Sequence, residues 1–241
     1  VTGSALGNEI GGLVGWNQGN IANCSASGDI TGGFSNIGGF VGHNAGPISD
    51  CHATGTVMIA AASSIGGFVG QNDALVTRCD STGPTSGTNY VGGFVGFISL
   101  AGSKVTCCYE TGQVSGTGSY IGGFAGFLQT VISDCYATGN VSGGDEVGGL
   151  LGHNNAGWVN NSYATGNATG TNYGGLIGAG PGSVNNCFWD NETSGIALVS
   201  MGGTPKNTTD MMTRSTFTGA SWDFTTIWDI KQNFTYPFFI W

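Results

Sequence analysis

Charge is scarce in this chain. Asp, Glu, Lys and Arg make up 8% of its 241 residues, against roughly a quarter in an ordinary globular domain. A densely charged surface is therefore excluded as the means of keeping it in solution. Bases are scarcest, with 5 Lys and Arg against 14 Asp and Glu and a formal net charge of -9. Arg78, Lys104, Lys206, Arg214 and Lys231 each stand alone. Nucleic-acid binding needs clustered Lys and Arg, so no nucleic-acid partner is expected. No apolar run approaches the roughly 18 residues that a membrane helix needs, so no membrane span is expected. Nothing at the N-terminus reads as a signal peptide.

Glycine is abundant, at 47 residues, and it is phased. A Gly doublet recurs at Gly11-Gly12, Gly38-Gly39, Gly66-Gly67, Gly92-Gly93, Gly122-Gly123, Gly148-Gly149 and Gly174-Gly175, at intervals of 27, 28, 26, 30, 26 and 26 residues. Such a period marks a repeat architecture. A second landmark follows each of the first six doublets: "CSASG" (24–28), "CHATG" (51–55), "CDSTG" (79–83), "CYETG" (108–112), "CYATG" (135–139) and "SYATG" (162–166). These blocks alternate with period 2, which signals strands with one buried face. Apolar pieces such as "GLVG" and "GFVG" are too short and too Gly-broken for helices. A period near 27 residues then holds two or three short strands and their turns.

The expected fold is all-β, a parallel β-solenoid of about seven coils with a non-repeat C-terminal segment. Each coil buries its apolar face only by stacking on its neighbours. The doublets are expected at sharp corners, supplying φ > 0 and close approach between coils. The insert "FISLAGSKVTC" (97–107) in the fourth copy is expected to bulge or carry a loop. The division expected is 1–188 for the repeats and 189–241 for an aromatic-rich capping or assembly segment.

The stretches "IGGLVGWNQGNIANCSASGDI" (10–30) and "VGGLLGHNNAGWVNNSYATGNAT" (147–169) resemble the GLUG-motif repeat of large bacterial and archaeal surface proteins. The resemblance covers roughly residues 9–188, and the segment "CFWDNETSGIALVSMGGTPKNTTDM…TFTGASWDFTTIWDI…YP" (187–237) resembles the C-terminal piece that often follows such repeats. It implies a parallel β-solenoid exposed outside the cell, without catalytic activity. Repeats, cysteines and low charge together also resemble in character the subunits of tubular sheaths around filamentous methanogenic archaea.

Six of the seven cysteines share one repeat column: Cys24, Cys51, Cys79, Cys108, Cys135 and Cys187, with Ser162 in the sixth copy. Equivalent residues of adjacent coils lie about 4.8 Å apart. The column reads either as a ladder of small buried thiols or as disulfides between rungs, since a disulfide spans Cα separations of roughly 4.4–6.8 Å. In-register strands aim both Cβ atoms alike, which opposes the second reading. Cys107 should face away from Cys108, as an intermolecular thiol or as a buried residue in the bulge.

No catalytic or metal site is expected. No cysteines stand as CxxC, His43, His52 and His153 lie in different coils, and zinc needs converging ligands. The Asp pattern of calcium-binding RTX repeats is absent. Asp50 and Asp134 share the column before Cys, with Asn23, Arg78, Cys107, Asn161 and Asn186, but three coils separate them. That is roughly 14 Å, beyond the carboxylate pairs of about 5–9.5 Å that hydrolyse glycosides. Asp145-Glu146 reads as an exposed turn. The chain is therefore expected not to be an enzyme and to need no cofactor.

The surface columns remain. Ser27, Thr54, Thr82, Thr111, Thr138 and Thr165 form an outward row, read as ordinary cross-strand pairing. Asn17, Asn44, Asn72 and Asn154 form an inward ladder. Tyr109, Tyr136 and Tyr163 form a stripe suited to lateral contact or sugar stacking. Trp222, Trp228 and Trp241 add aromatic contacts in the C-terminal segment. The lead "VTGSALGNE" is too short for a cap, so the first coil near Ile10–Val14 is expected to seek a partner. The resulting expectation is an extracellular protein that polymerises with itself by edge and lateral contacts, as a surface layer, fibre or sheath. The alternative is an adhesin-type module that grips glycans or other cells. Asn-x-Ser/Thr occurs at Asn23, Asn140, Asn160, Asn167, Asn191, Asn207 and Asn233, weak evidence for glycosylation in a chain so rich in these residues.

Overall fold

The structure is a computed structural model that describes residues 7–241. Most of the N-terminal lead, residues 1–6, lies outside the described residues. The second coil shows the local pattern, with strands Ser35–Gly38, Val41–Asn44, Ile48–Ser49, His52–Ala53 and Val57–Met58. Each pairs in parallel with its equivalent one coil away. Ile37, Ile65 and Val91 fall in register, and so do Gly38, Gly66 and Gly92. Seven strands, from Asn8–Gly11 to Tyr173–Gly174, form a first sheet, and seven, from Val14–Asn17 to Ile177–Ala179, form a second. A third, thirteen-stranded sheet carries the Cys column, and a fourth sheet of five strands closes the coil. The fold is thus an all-β parallel solenoid of seven coils, as the repeat period implied. The fourth-copy insert forms a turn closed by Ser103, whose N–H and Oγ both donate to the Leu100 carbonyl.

The doublets matter for close approach and not for left-handed backbone, which corrects the expectation that they supply φ > 0. None of them has positive φ. At Gly38 a Cβ would lie 2.1 Å from the Val41 carbonyl oxygen of its own turn and 2.6 Å from the Phe68 oxygen of the next coil. Most left-handed residues of the repeats lie instead in two non-Gly columns. One is Glu9, Asn36, Ser64, Tyr90, Tyr120 and Glu146; the other is Asn23, Asp50, Arg78, Cys107, Asp134, Asn161 and Asn186. Asn and Asp enter this region most easily among residues with a Cβ. Asp50 and Asp134 therefore owe their column to a backbone corner.

The interior repeats its own side chains. Phe40, Phe68, Phe94 and Phe124 stack with centroids 4.7, 4.8 and 4.9 Å apart, a spacing imposed by the rise between coils. The Asn ladder is inward as expected: Asn17 donates to Asn44 Oδ1 and Asn44 to Asn72 Oδ1, both at 2.8 Å. Ile98 and Leu128 then replace Asn in the column before Asn154 resumes it. Trp189 turns inward against Gly175 and donates from Nε1 to the Ile196 carbonyl, filling the end of the core. Over it, the Val199 carbonyl and the Ser200 hydroxyl take the N–H groups of Gly175, Leu176 and Ile177.

One inward column carries a carboxyl. The column Ala26, Ala53, Ser81, Glu110, Ala137, Ala164 points inward, and Glu110 is fully buried. Neither of its carboxyl oxygens has a hydrogen-bond partner, nor do Ser81 Oγ and Thr85 Oγ1. Burial pushes its pKa well above the ordinary carboxyl range, because a low-dielectric surrounding disfavours the charged form.

Two outcomes follow from this core. Gly66→Ala places a Cβ 2.0 Å from the Val69 carbonyl oxygen and should cost about 3 kcal/mol or more in urea unfolding. A carboxyl whose pKa rises on folding supports the native state below its unfolded value near 4.3, and that support is lost as pH rises. Glu110→Gln should therefore raise the melting temperature near pH 8 and change it little near pH 4.

Candidate functional site

The Cys column forms a hydrogen-bonded corner. After the left-handed residue, each sulfur folds back onto the carbonyl two residues earlier: Cys51 on Ser49, Cys108 on Thr106 and Cys135 on Ser133, at 3.0, 3.2 and 3.2 Å. The same sulfur accepts from the coil before it, Cys24 N–H to Cys51 Sγ and Cys79 N–H to Cys108 Sγ, both at 3.4 Å. Ser162 does the same with oxygen, accepting from Cys135 N–H and donating to the Asn160 carbonyl. All seven cysteines are free. No bridge joins Cys24, Cys51, Cys79, Cys108, Cys135 and Cys187 in the structure: each thiol aims along its own coil and hydrogen-bonds there. Burial pushes the Cys187 thiol up to about 12. Cys107 occupies a left-handed position, half-buried against the C-terminal segment.

The Tyr stripe is assembled as the spacing implied, and the chain covers it. Tyr109, Tyr136 and Tyr163 stack at centroid distances of 5.0 Å. In-register pairing continues through Phe188–Asp190 to Thr204–Lys206. The chain then turns back along the third sheet through helices Thr208–Met211 and Arg214–Thr218 and an antiparallel pair, Trp228–Asp229 with Phe238–Phe239. Its Phe217, Trp222, Trp228 and Phe239 are buried with Tyr163 and Phe188. Polar clasps fix the register. Tyr163 OH donates to the Pro237 carbonyl at 2.7 Å, and Trp222 Nε1 to the Asn186 carbonyl at 2.8 Å. Asp190, fully buried, accepts from Tyr236 OH at 2.6 Å and Thr208 Oγ1 at 2.8 Å. Asp134 accepts from Trp228 Nε1, yet its burial holds the carboxyl above the usual range.

Tyr163, Trp222 and Trp228 are therefore core residues of the cover, unavailable to a partner in this state. Of the expected aromatic contacts, Trp241 is 44% exposed, beside exposed Phe234 and Ile240. The Thr row is outward in Ser27, Thr54, Thr82 and Thr111, while Thr165 is buried beneath Thr193, which donates to its carbonyl. Arg78 bridges Asp50 with two bonds of 2.6 and 2.7 Å and holds that carboxyl below its ordinary value.

A second aromatic face was missed in the sequence. On the outside of the first two sheets, Tyr90 and Tyr120 stack at 4.9 Å. Phe97, Phe127 and His153 form a parallel row with 5.1 Å steps. The Tyr rings stand at 77–83° to the other row, and His153 is paired with Glu146. The signal was an aromatic two residues before the Gly doublet in coils four and five, and another four residues after its second Gly.

Three stretches of the chain, residues 7–31, 35–58 and 117–142, match the GLUG motif. Over 72 residues the chain is 47% identical to a protein of Evansella cellulosilytica that bears the name Gly-rich membrane protein. The alignment covers 28% of this chain and 8% of that protein. No solved structure matches the chain.

The thiol corner gives a graded outcome. Cys108→Ser keeps both hydrogen bonds, as Ser162 does, whereas Cys108→Val leaves a buried N–H unpaired at a cost of about 1–3 kcal/mol. Chemical denaturation should rank wild type and Ser above Val. In the folded chain a thiol reagent should label Cys24 and, more slowly, Cys107, sparing the buried five until denaturant is added, as read by mass spectrometry.

Proposed function

We propose that this GLUG-bearing solenoid is a non-enzymatic structural element of the extracellular surface that joins copies of itself into a protective layer, fibre or tubular sheath. The observation that carries the reading is the parallel ladder: every coil is bonded to the next by backbone hydrogen bonds in the first three sheets, and five coils are bonded in the fourth. Load is then shared along the whole stack. The outermost strands Asn8–Gly11, Val14–Asn17, Ile21–Ala22 and Ser25–Ala26 pair on one side only among the described residues. Their free N–H and C=O groups call for a further row, from the same polypeptide or another copy. At the opposite end Leu198, Val199 and Met201 are exposed over the last coil and offer an apolar surface for such a row. Phe234, Ile240 and Trp241 offer a lateral one.

Surface location is supported by the GLUG motif and by the relative's name, which speaks of a membrane. Among the described residues no helix is long and apolar enough to cross one. The adhesin-type reading draws on the open face around Tyr90 and Tyr120, since the Tyr109 stripe is already covered.

Sedimentation velocity and electron microscopy over a concentration series test the proposal. Concentration-dependent rods or sheets are expected. A chain that remains monomeric at millimolar concentration refutes polymerisation and leaves the binding-module reading in its place.

A further inference from the structure

We propose that the outer face built by Tyr90, Phe97, Tyr120, Phe127, His153 and Glu146 is a binding trough for a linear glycan, uncharged or amino-bearing, laid along the solenoid axis. This inference stands apart from self-assembly and is tested on the unassembled chain.

The shape comes first. Two rows of rings, each repeating at about the coil rise, meet at 77–83°. The edges of one row pack on the faces of the other, so the two rows make one continuous aromatic surface, and both are half-buried, with part of each ring open to solvent. Sugar rings present a C–H face to such a surface and hydroxyls to its polar edge. A recognition site of this kind combines aromatic walls with a few placed polar groups, and here those groups are Glu146 and His153.

Backbone strain is the second observation. Tyr90 and Tyr120 sit at φ 53° and 67°, a region that bulky side chains seldom enter and that clusters at functional sites. The same column holds Asn36 and Ser64 in coils two and three, so the fold does not require an aromatic there. The stacked Tyr109 column shows what such a ladder does when it has a partner: Tyr163 is buried under Trp222 and Trp228, and Tyr109 and Tyr136 are half-buried against Phe239. The Tyr90 ladder has no such cover.

Charge selects the occupant. The strands of the first two sheets contain Glu9, Asp145 and Glu146 and no Lys or Arg, and Asp73 lies beside His43 at the turn after them. A polyanion is repelled, and so is the same face of a second copy, which carries the same acids. Hydroxyls and amino groups are accepted by carboxylates.

Isothermal titration with the hexamers of β-linked glucose and of β-linked glucosamine tests this, with heparin and polylysine as controls. The double variant Tyr90→Asn, Tyr120→Asn removes the trough with a residue suited to left-handed backbone, so the chain should keep its cooperative melt. Wild type should bind at least one hexamer, and the variant should bind it about tenfold or more weakly. Binding of neither hexamer at millimolar concentration, equal binding by the variant, or binding of polylysine or heparin alone overturns the proposal.

Discussion

Parallel, in-register stacking at the spacing of one β-ladder is the constraint on which the rest of this molecule depends. It places each residue against its own equivalent one coil away. A choice made once must therefore suit its copy, and columns rather than single residues become the units of the structure. The Phe40–Phe124 stack, the Asn17–Asn72 ladder and the glycine columns follow from it. At the doublets the constraint is steric. A methyl group at Gly38 would meet backbone oxygens of its own turn and of the next coil, and no rotamer moves a Cβ.

The same constraint explains how the corners are made. A narrow coil must turn sharply, and here the turn falls on residues with side chains in the left-handed region. Asn and Asp fill most of the column before Cys, and the thiol that follows ties the turn to its own coil and to the preceding one. Sulfur and the oxygen of Ser162 are interchangeable there because the task is hydrogen bonding. That task also keeps the thiols apart as free groups, although their spacing along the axis would allow a bridge.

Stacking has a cost on the outside. A column of like aromatics makes an apolar ridge as long as the repeat. The chain handles its two ridges differently. Tyr109, Tyr136 and Tyr163 lie under residues 207–241, held by the clasps to Asp190 and Asp134. The ridge of Tyr90, Phe97, Tyr120 and Phe127 is left half-open and edged with acid and imidazole. A covered ridge adds stability, and an open one with a polar edge is suited to a ligand. Glu110, unpaired inside the stack, is the place where a carboxyl stands in a column of small residues.

The sequence by itself determined the repeat, the coil number, the parallel stack and the inward direction of the Cys and Asn columns, because periodicity alone dictates which residues become neighbours along the axis. It also showed that Tyr109, Tyr136 and Tyr163 would align. It foresaw close approach at the Gly doublets but not that Asn, Asp and Tyr, rather than those glycines, take the left-handed corners, since both roles leave the same period. Nor could it show which ridge is covered. Tyr163 meets Pro237 across 74 positions and Asp134 meets Trp228 across 94, and those contacts follow no repeat. Only the tertiary structure, by folding a non-repeating segment back across one face, decided which aromatic column is core and which remains open to a partner.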